Sequence, residues 1–233
     1  MSLLATFRSS SDGGAVSVPS VGGGNGDQTN DEFRLIKWHF LAQANSAVPE
    51  GKNPRVILIT SAGAGEGKSY VAHHLAANFA LDPHVELTLI DANFDNPALG
   101  SSSWMGGSSG GAGLLDYLES GSDSTNIVKS TGMSNVRVIL PGQSREHAPE
   151  LIANGRLEAL LASLTGSTNS FVIIDAGPVL ADGSAAILAR YAGHIAFVVA
   201  ANSTSRSDIT QGLATLDRIA GPIDEKAIGL IFN

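Results

Sequence analysis

Short apolar runs recur along this chain, and the segments between them place their apolar residues three or four positions apart. Arg55–Thr60, Val85–Asp91, Val136–Leu140, Phe171–Asp175, Ile195–Ala200 and Ala227–Phe232 are rich in β-branched and aliphatic residues and read as strands. Val71, Leu75, Ala76 and Phe79 fall on one helical face, as do Leu157, Leu160, Leu161 and Leu164, and Ile209, Leu213, Leu216 and Ile219. Strands that are apolar almost throughout, alternating with helices, predict an α/β domain: a mostly parallel β-sheet flanked by helices on both faces.

Ahead of this domain, Phe33, Ile36, Phe40 and Leu41 predict an amphipathic helix over residues 31–45. Residues 1–30 show no period and include Gly22-Gly23-Gly24-Asn25-Gly26, which would lose much backbone entropy on ordering. The expected organisation is a flexible leader over 1–30, a leading helix over 31–50 and one domain over 51–233. The Gly/Ser-rich stretch 100–113 is expected to be a long loop. No internal repeat is present.

Composition narrows the function. The chain has 233 residues, 43% of them hydrophobic, enough for a substantial core. A formal net charge of -8 argues against a protein that works by gripping nucleic-acid phosphates. The absence of cysteine excludes disulfides and thiolate chemistry. Arg8 and a Ser/Gly-rich run interrupt the apolar start too early for a secretory signal, and no stretch approaches the roughly 18 apolar residues of a membrane span. A cytoplasmic protein is expected, brought to the inner membrane only by a partner.

The candidate chemistry lies in Thr60-Ser61-Ala62-Gly63-Ala64-Gly65-Glu66-Gly67-Lys68-Ser69. A strand ends, glycines turn the backbone, and a helix begins. This order gathers N–H groups and a positive helix end around one point, which favours phosphate. Lys68 is placed to reach outer phosphates and Ser69 to give an oxygen to Mg²⁺. Ala62 stands where the strict phosphate-loop pattern has its first glycine. Gly63, Ala64, Gly65, Glu66, Gly67, Lys68 and Ser69 are thus candidates for holding ATP. Asp91 and Asp175 each close an apolar run, and strand ends of a parallel sheet share the edge where ligands bind. Both are candidate Mg²⁺ ligands with Ser69, Asp175 in the manner of a Walker B aspartate. His73 and His74 are adjacent rather than one turn apart and lack companion ligands, so they do not predict a metal site.

In this order the motifs resemble those of the bacterial tyrosine kinases of capsule and exopolysaccharide synthesis, within the MinD/ParA-like P-loop ATPases. The resemblance covers roughly residues 31–233. It rests on the 60–69 loop as Walker A, on Leu89-Ile90-Asp91-Ala92-Asn93-Phe94-Asp95-Asn96-Pro97 as Walker A′, and on Val138-Ile139-Leu140-Pro141-Gly142 followed by Pro149-Glu150-Leu151-Ile152. Phe171–Leu180 is similar to the family's Walker B and Ile228–Asn233 to its last strand. The resemblance implies ATP and Mg²⁺ as cofactors, Lys68 stabilising charge, and Asp91 orienting or deprotonating an acceptor. It also implies Asn233 near the base, and a homo-oligomer formed through Asp31, Arg34 and Lys37, which match the family's E-x-x-R-x-x-R helix with two changes. The implied partner is the cytoplasmic part of a membrane chain-length-determinant protein.

Two departures stand out. The family's A′ pattern D-x-D-x-R keeps only Asp91, with Asn93 and Asp95 in place of the second aspartate and the arginine. The family's C-terminal tyrosine cluster has no counterpart among Tyr70, Tyr117 and Tyr191, so tail autophosphorylation is not expected. Tyr70 and Tyr191 are expected in helices, as packing residues. Three functions follow: an ATPase or tyrosine kinase, a regulatory module that docks when ATP-bound with little turnover, and a MinD/ParA-like positioning ATPase.

Overall fold

The structure is a computed structural model that describes residues 4–8, 15–18, 26–45, 51–99, 111–121, 123–143, 147–181, 183–201, 203–221 and 227–232. Six strands run parallel in the order β9-β8-β3-β7-β4-β6: β3 (Asn53–Ser61), β4 (Glu86–Ala92), β6 (Val136–Ile139), β7 (Ser170–Ala176), β8 (Ala192–Val199) and β9 (Ala227–Phe232). The six expected strands are these six. Three further strands pair antiparallel at the two edges. β5 (Val128–Ser130) joins β6, while β1 (Leu4–Arg8) lies between β9 and β2 (Ala15–Val18).

Residues 1–30 therefore carry elements where a flexible leader is expected. Leu4–Arg8 finds a partner in the edge of β9, whose unpaired N–H and C=O groups accept an added strand. That partner is remote in sequence, and the local Gly/Ser content gives no sign of it. The leading helix α1 (Gly26–Gln43) likewise begins before Asp31.

Adjacent strand residues point to opposite faces, so the sheet feeds two cores. Ile57, Ile59, Leu87, Leu89, Ile173 and Val198 pack under α1 and α2 (Lys68–Ala80), through Phe33, Ile36, Phe40, Leu75 and Phe79. Val56, Leu58, Ile90, Val172, Ile174 and Phe197 face α3 (Leu114–Ser120), α4 (Ala148–Ile152), α5 (Arg156–Leu164), α6 (Ser184–Leu188) and α7 (Arg206–Ala220). The expected two-sided covering is what forms. Helices α3, α4 and α6 are 5 to 7 residues long, too short for a legible period. Tyr191, expected in a helix, instead lies in the turn before β8, its hydroxyl donating to the Ile152 carbonyl at 3.4 Å. Most of the expected 100–113 loop lies outside the described residues.

Candidate functional site

Strands β3, β4 and β7 end on one edge, and β3 leads straight into the glycine loop. Gly65 and Gly67 hold φ of 75° and 94°, left-handed values that favour glycine and let the backbone fold over the start of α2. The Lys68 amine turns back to this loop, donating to Ser61 Oγ at 3.0 Å and to the Gly63 carbonyl at 3.0 Å. Ser61 Oγ donates to the same carbonyl at 2.7 Å. Lys68 is thereby fixed at the helix start. Burial pulls its pKa below the usual lysine value, opposed first by the Asp175 carboxylate and then by Glu66.

Asp175 and Asp91 are register partners on β7 and β4, and both are fully buried. Their surroundings differ. The Asp91 Oδ1 accepts the Asn93 N–H at 3.2 Å, and its Oδ2 accepts those of Ala98 and Leu99, each at 2.9 Å. This carboxylate anchors the A′ loop. Neither oxygen of Asp175 has a hydrogen bond of ordinary geometry. Burial pushes its pKa up to about 7; the nearby Ser69 hydroxyl opposes this, the Asp91 charge adds to it, and Lys68 opposes it. The Ser69 hydroxyl stands beside this carboxylate at the start of α2.

A buried carboxylate without donors, beside a hydroxyl at a helix start, is a hard oxygen set that fits Mg²⁺. Among the described residues no group of three His, Asp or Glu could hold a metal ion alone, so phosphate oxygens would have to complete such a shell.

The structure therefore gathers Gly63, Ala64, Gly65, Glu66, Gly67, Lys68, Ser69, Asp91 and Asp175 at one edge. Asn233 lies outside the described residues. Three participants escape sequence reading. Ser61 holds Lys68; Thr60 Oγ1 donates to the Gly177 carbonyl at 2.8 Å, tying β3 to the segment after β7; and Thr204 donates to Glu66 Oε1 at 2.8 Å. Ser61 sits inside the motif and could have been marked. Thr204 carries no local signal.

On α1, the three expected charges do not share one exposed row. Asp31 and Arg34 are exposed and paired with each other at 3.1 Å, whereas Lys37 is only 6% exposed, with its amine over the Trp38 ring. The outward face carries Leu35 and Trp38 instead. Helical geometry explains this: Lys37 lies one turn from Phe33 and Phe40, on the buried side. Tyr70 lies in α2 as expected, 44% exposed, with its ring 3.9 Å from that of His74 and 6.3 Å from that of Phe33.

Sheet order, glycine loop and paired acidic strand ends together give an α/β fold of the MinD/ParA-like P-loop class. Within that class, this chain resembles the bacterial tyrosine kinases. It is 25% identical over 195 residues to tyrosine-protein kinase CpsD of Streptococcus agalactiae, covering 84% of this chain and 82% of that one. It is also 26% identical over 177 residues to tyrosine-protein kinase YwqD of Bacillus subtilis, covering 76% and 71%. Among solved structures, the BceF tyrosine kinase domain superposes with a TM-score of 0.72 at 27% identity, covering 88% of this chain and 77% of that one. A ParA family ATPase from Chlorobium tepidum reaches a TM-score of 0.57 at 19% identity over 77% and 73%, a likeness of fold alone. No family model matches the chain. Among the described residues no helix is long and apolar enough to cross a membrane.

Proposed function

We propose that this protein binds Mg-ATP in the 63–69 loop and acts in capsule or exopolysaccharide synthesis or export, as an ATPase or tyrosine-kinase-like phosphotransferase of weakened turnover. The observation that carries the reading is the buried, donor-free Asp175 facing Ser69 and Lys68 across the loop. Bound Mg-ATP would supply the transferable γ-phosphoryl group and its charge-neutralising cation. Loop N–H groups from Gly63 to Ser69 would hold the phosphates, with Glu66 shaping the loop. Lys68 would exchange its bonds to Ser61 and Gly63 for outer phosphate oxygens, and Ser69 and Asp175 would orient the cation. Asn233 would sit near the base.

Asp91 is the weak point of catalysis. Three backbone donors already hold its carboxylate, so orienting or deprotonating an acceptor would require breaking them. Asn93 and Asp95 add no positive or second acidic group of the family's kind. These facts favour a second reading, a regulatory module that docks in its ATP-bound state on a membrane chain-length-determinant protein. A positioning ATPase of the MinD/ParA kind ranks third. A homo-oligomer through α1 would have to use Asp31 and Arg34 with Leu35 and Trp38, not Lys37. We place the protein in the cytoplasm, held at the inner membrane by its partner.

Calorimetry with Mg-ATP on the wild type and Lys68→Ala, with phosphate release and anti-phosphotyrosine blotting on the same samples, tests this. Lys68-dependent binding with measurable turnover supports the enzyme. Binding without turnover favours the regulatory module, and no binding overturns the nucleotide reading.

A further inference from the structure

Glu66 puts a negative charge into a loop shaped for an anion. Its residue is 7% exposed, and its carboxylate is close enough to the Lys68 amine to act on that amine's pKa. Oxygen Oε1 lies against the back of Gly63, where an added Cβ would meet it at 3.3 Å. Unrestrained, this carboxylate would compete with phosphate for Lys68 and for the loop N–H groups.

The turn after β8 meets it. Ser203 and Thr204 N–H groups donate to the Ala200 carbonyl at 3.1 and 3.0 Å, closing the chain on itself. The Ala200 N–H in turn donates to Thr204 Oγ1 at 2.9 Å. With a lone pair so engaged, the hydroxyl proton is directed outward, and it is donated to Glu66 Oε1 at 2.8 Å. The segment is firmly based: α7 approaches β8 so closely that a Cβ on Gly212 would lie 2.9 Å from the Phe197 ring.

We propose that Thr204 is a positioning residue of the phosphate loop, holding the Glu66 carboxylate against the β8–α7 turn and away from the phosphates. The inference rests on the nucleotide reading above and deepens it. Its effect on binding then scales with phosphate charge and is indifferent to the base.

The test is Mg-ATP, Mg-ADP and AMP binding by calorimetry on the full chain, with thermal unfolding of each variant. T204V is expected to weaken ATP about tenfold, ADP less and AMP hardly at all, because a charge-assisted bond is lost and its consequence scales with phosphate charge. T204S should restore binding. E66Q removes the charge to be restrained, so whatever it does alone to ATP affinity, T204V/E66Q should match E66Q within about twofold. Should T204V fail to fold, T204A is compared in the same way.

Equal weakening of ATP and AMP, a penalty that persists in the E66Q background, or no effect of T204V on a binding wild type each overturns the inference alone. Absence of Lys68-dependent ATP binding in the wild type removes the nucleotide reading and the inference together.

Discussion

His194 offers a direct test of how α1 is seated. It lies within β8, 2% exposed, with its ring 5.5 Å from that of Phe40 on α1. Burial lowers its pKa from 6.5 to about 4; the nearby His39 of α1 adds to the fall and the Pro54 backbone opposes it, although neither ring nitrogen has a hydrogen bond of ordinary geometry. A folded-state pKa below the unfolded value means that the unfolded chain takes up the proton first. Stability is then full above about pH 6.5 and is lost as pH falls towards 4. The shift corresponds to roughly 3 kcal/mol. His194→Met removes the titration while keeping an apolar side chain of adaptable shape. Urea unfolding of both proteins at pH 9, 8, 6, 5 and 4 should show a gap that is constant above pH 7. By pH 4 the gap should have moved by about 2–3 kcal/mol in favour of the variant. A gap unchanged across that range, within about 0.5 kcal/mol, would refute the claim that burial holds His194 neutral.

Other consequences can be checked independently. Gly193→Ala places a Cβ 2.6 Å from the Asn53 carbonyl oxygen and 2.7 Å from Pro54 Cα, both backbone atoms, and should destabilise by about 2 kcal/mol or more in urea unfolding. Asp91→Asn weakens the anchoring of Ala98 and Leu99 and should cost about 1–3 kcal/mol, measured by thermal unfolding. Asp175→Asn should abolish the Mg²⁺ dependence of ATP binding, read by titration with and without the metal, because the amide removes the buried carboxylate charge beside Ser69. Replacing both Leu35 and Trp38 by serine should reduce self-association in analytical ultracentrifugation without lowering the unfolding temperature, since both side chains are more than half exposed.

The parts of this protein legible in sequence are those whose signal is local. Strand β3, the loop from Gly63 to Ser69 and helix α2 are consecutive, so one window holds the apolar run, the glycines and the cationic residue together. The apolar content of β4, β7 and β8 likewise reports burial on both faces without reference to partners. Short helices such as α4 and α6 hold too few turns to display a period. Strands β1 and β2 exist by pairing rather than by composition.

Sequence alone thus determined the glycine-loop motif between β3 and α2, the α/β class and which carboxylates end strands, because covalent neighbours and side-chain periodicity are enough for each. Only the tertiary structure decided what those groups are free to do. It leaves Asp175 without donors yet gives Asp91 three, although both close similar apolar strands. It turns Lys37 inward beside Phe33 and Phe40. It joins Thr204 to Glu66 across 138 positions of chain. Hydrogen bonding and burial depend on which backbone atoms arrive nearby after the sheet has formed, and no spacing along the chain encodes that.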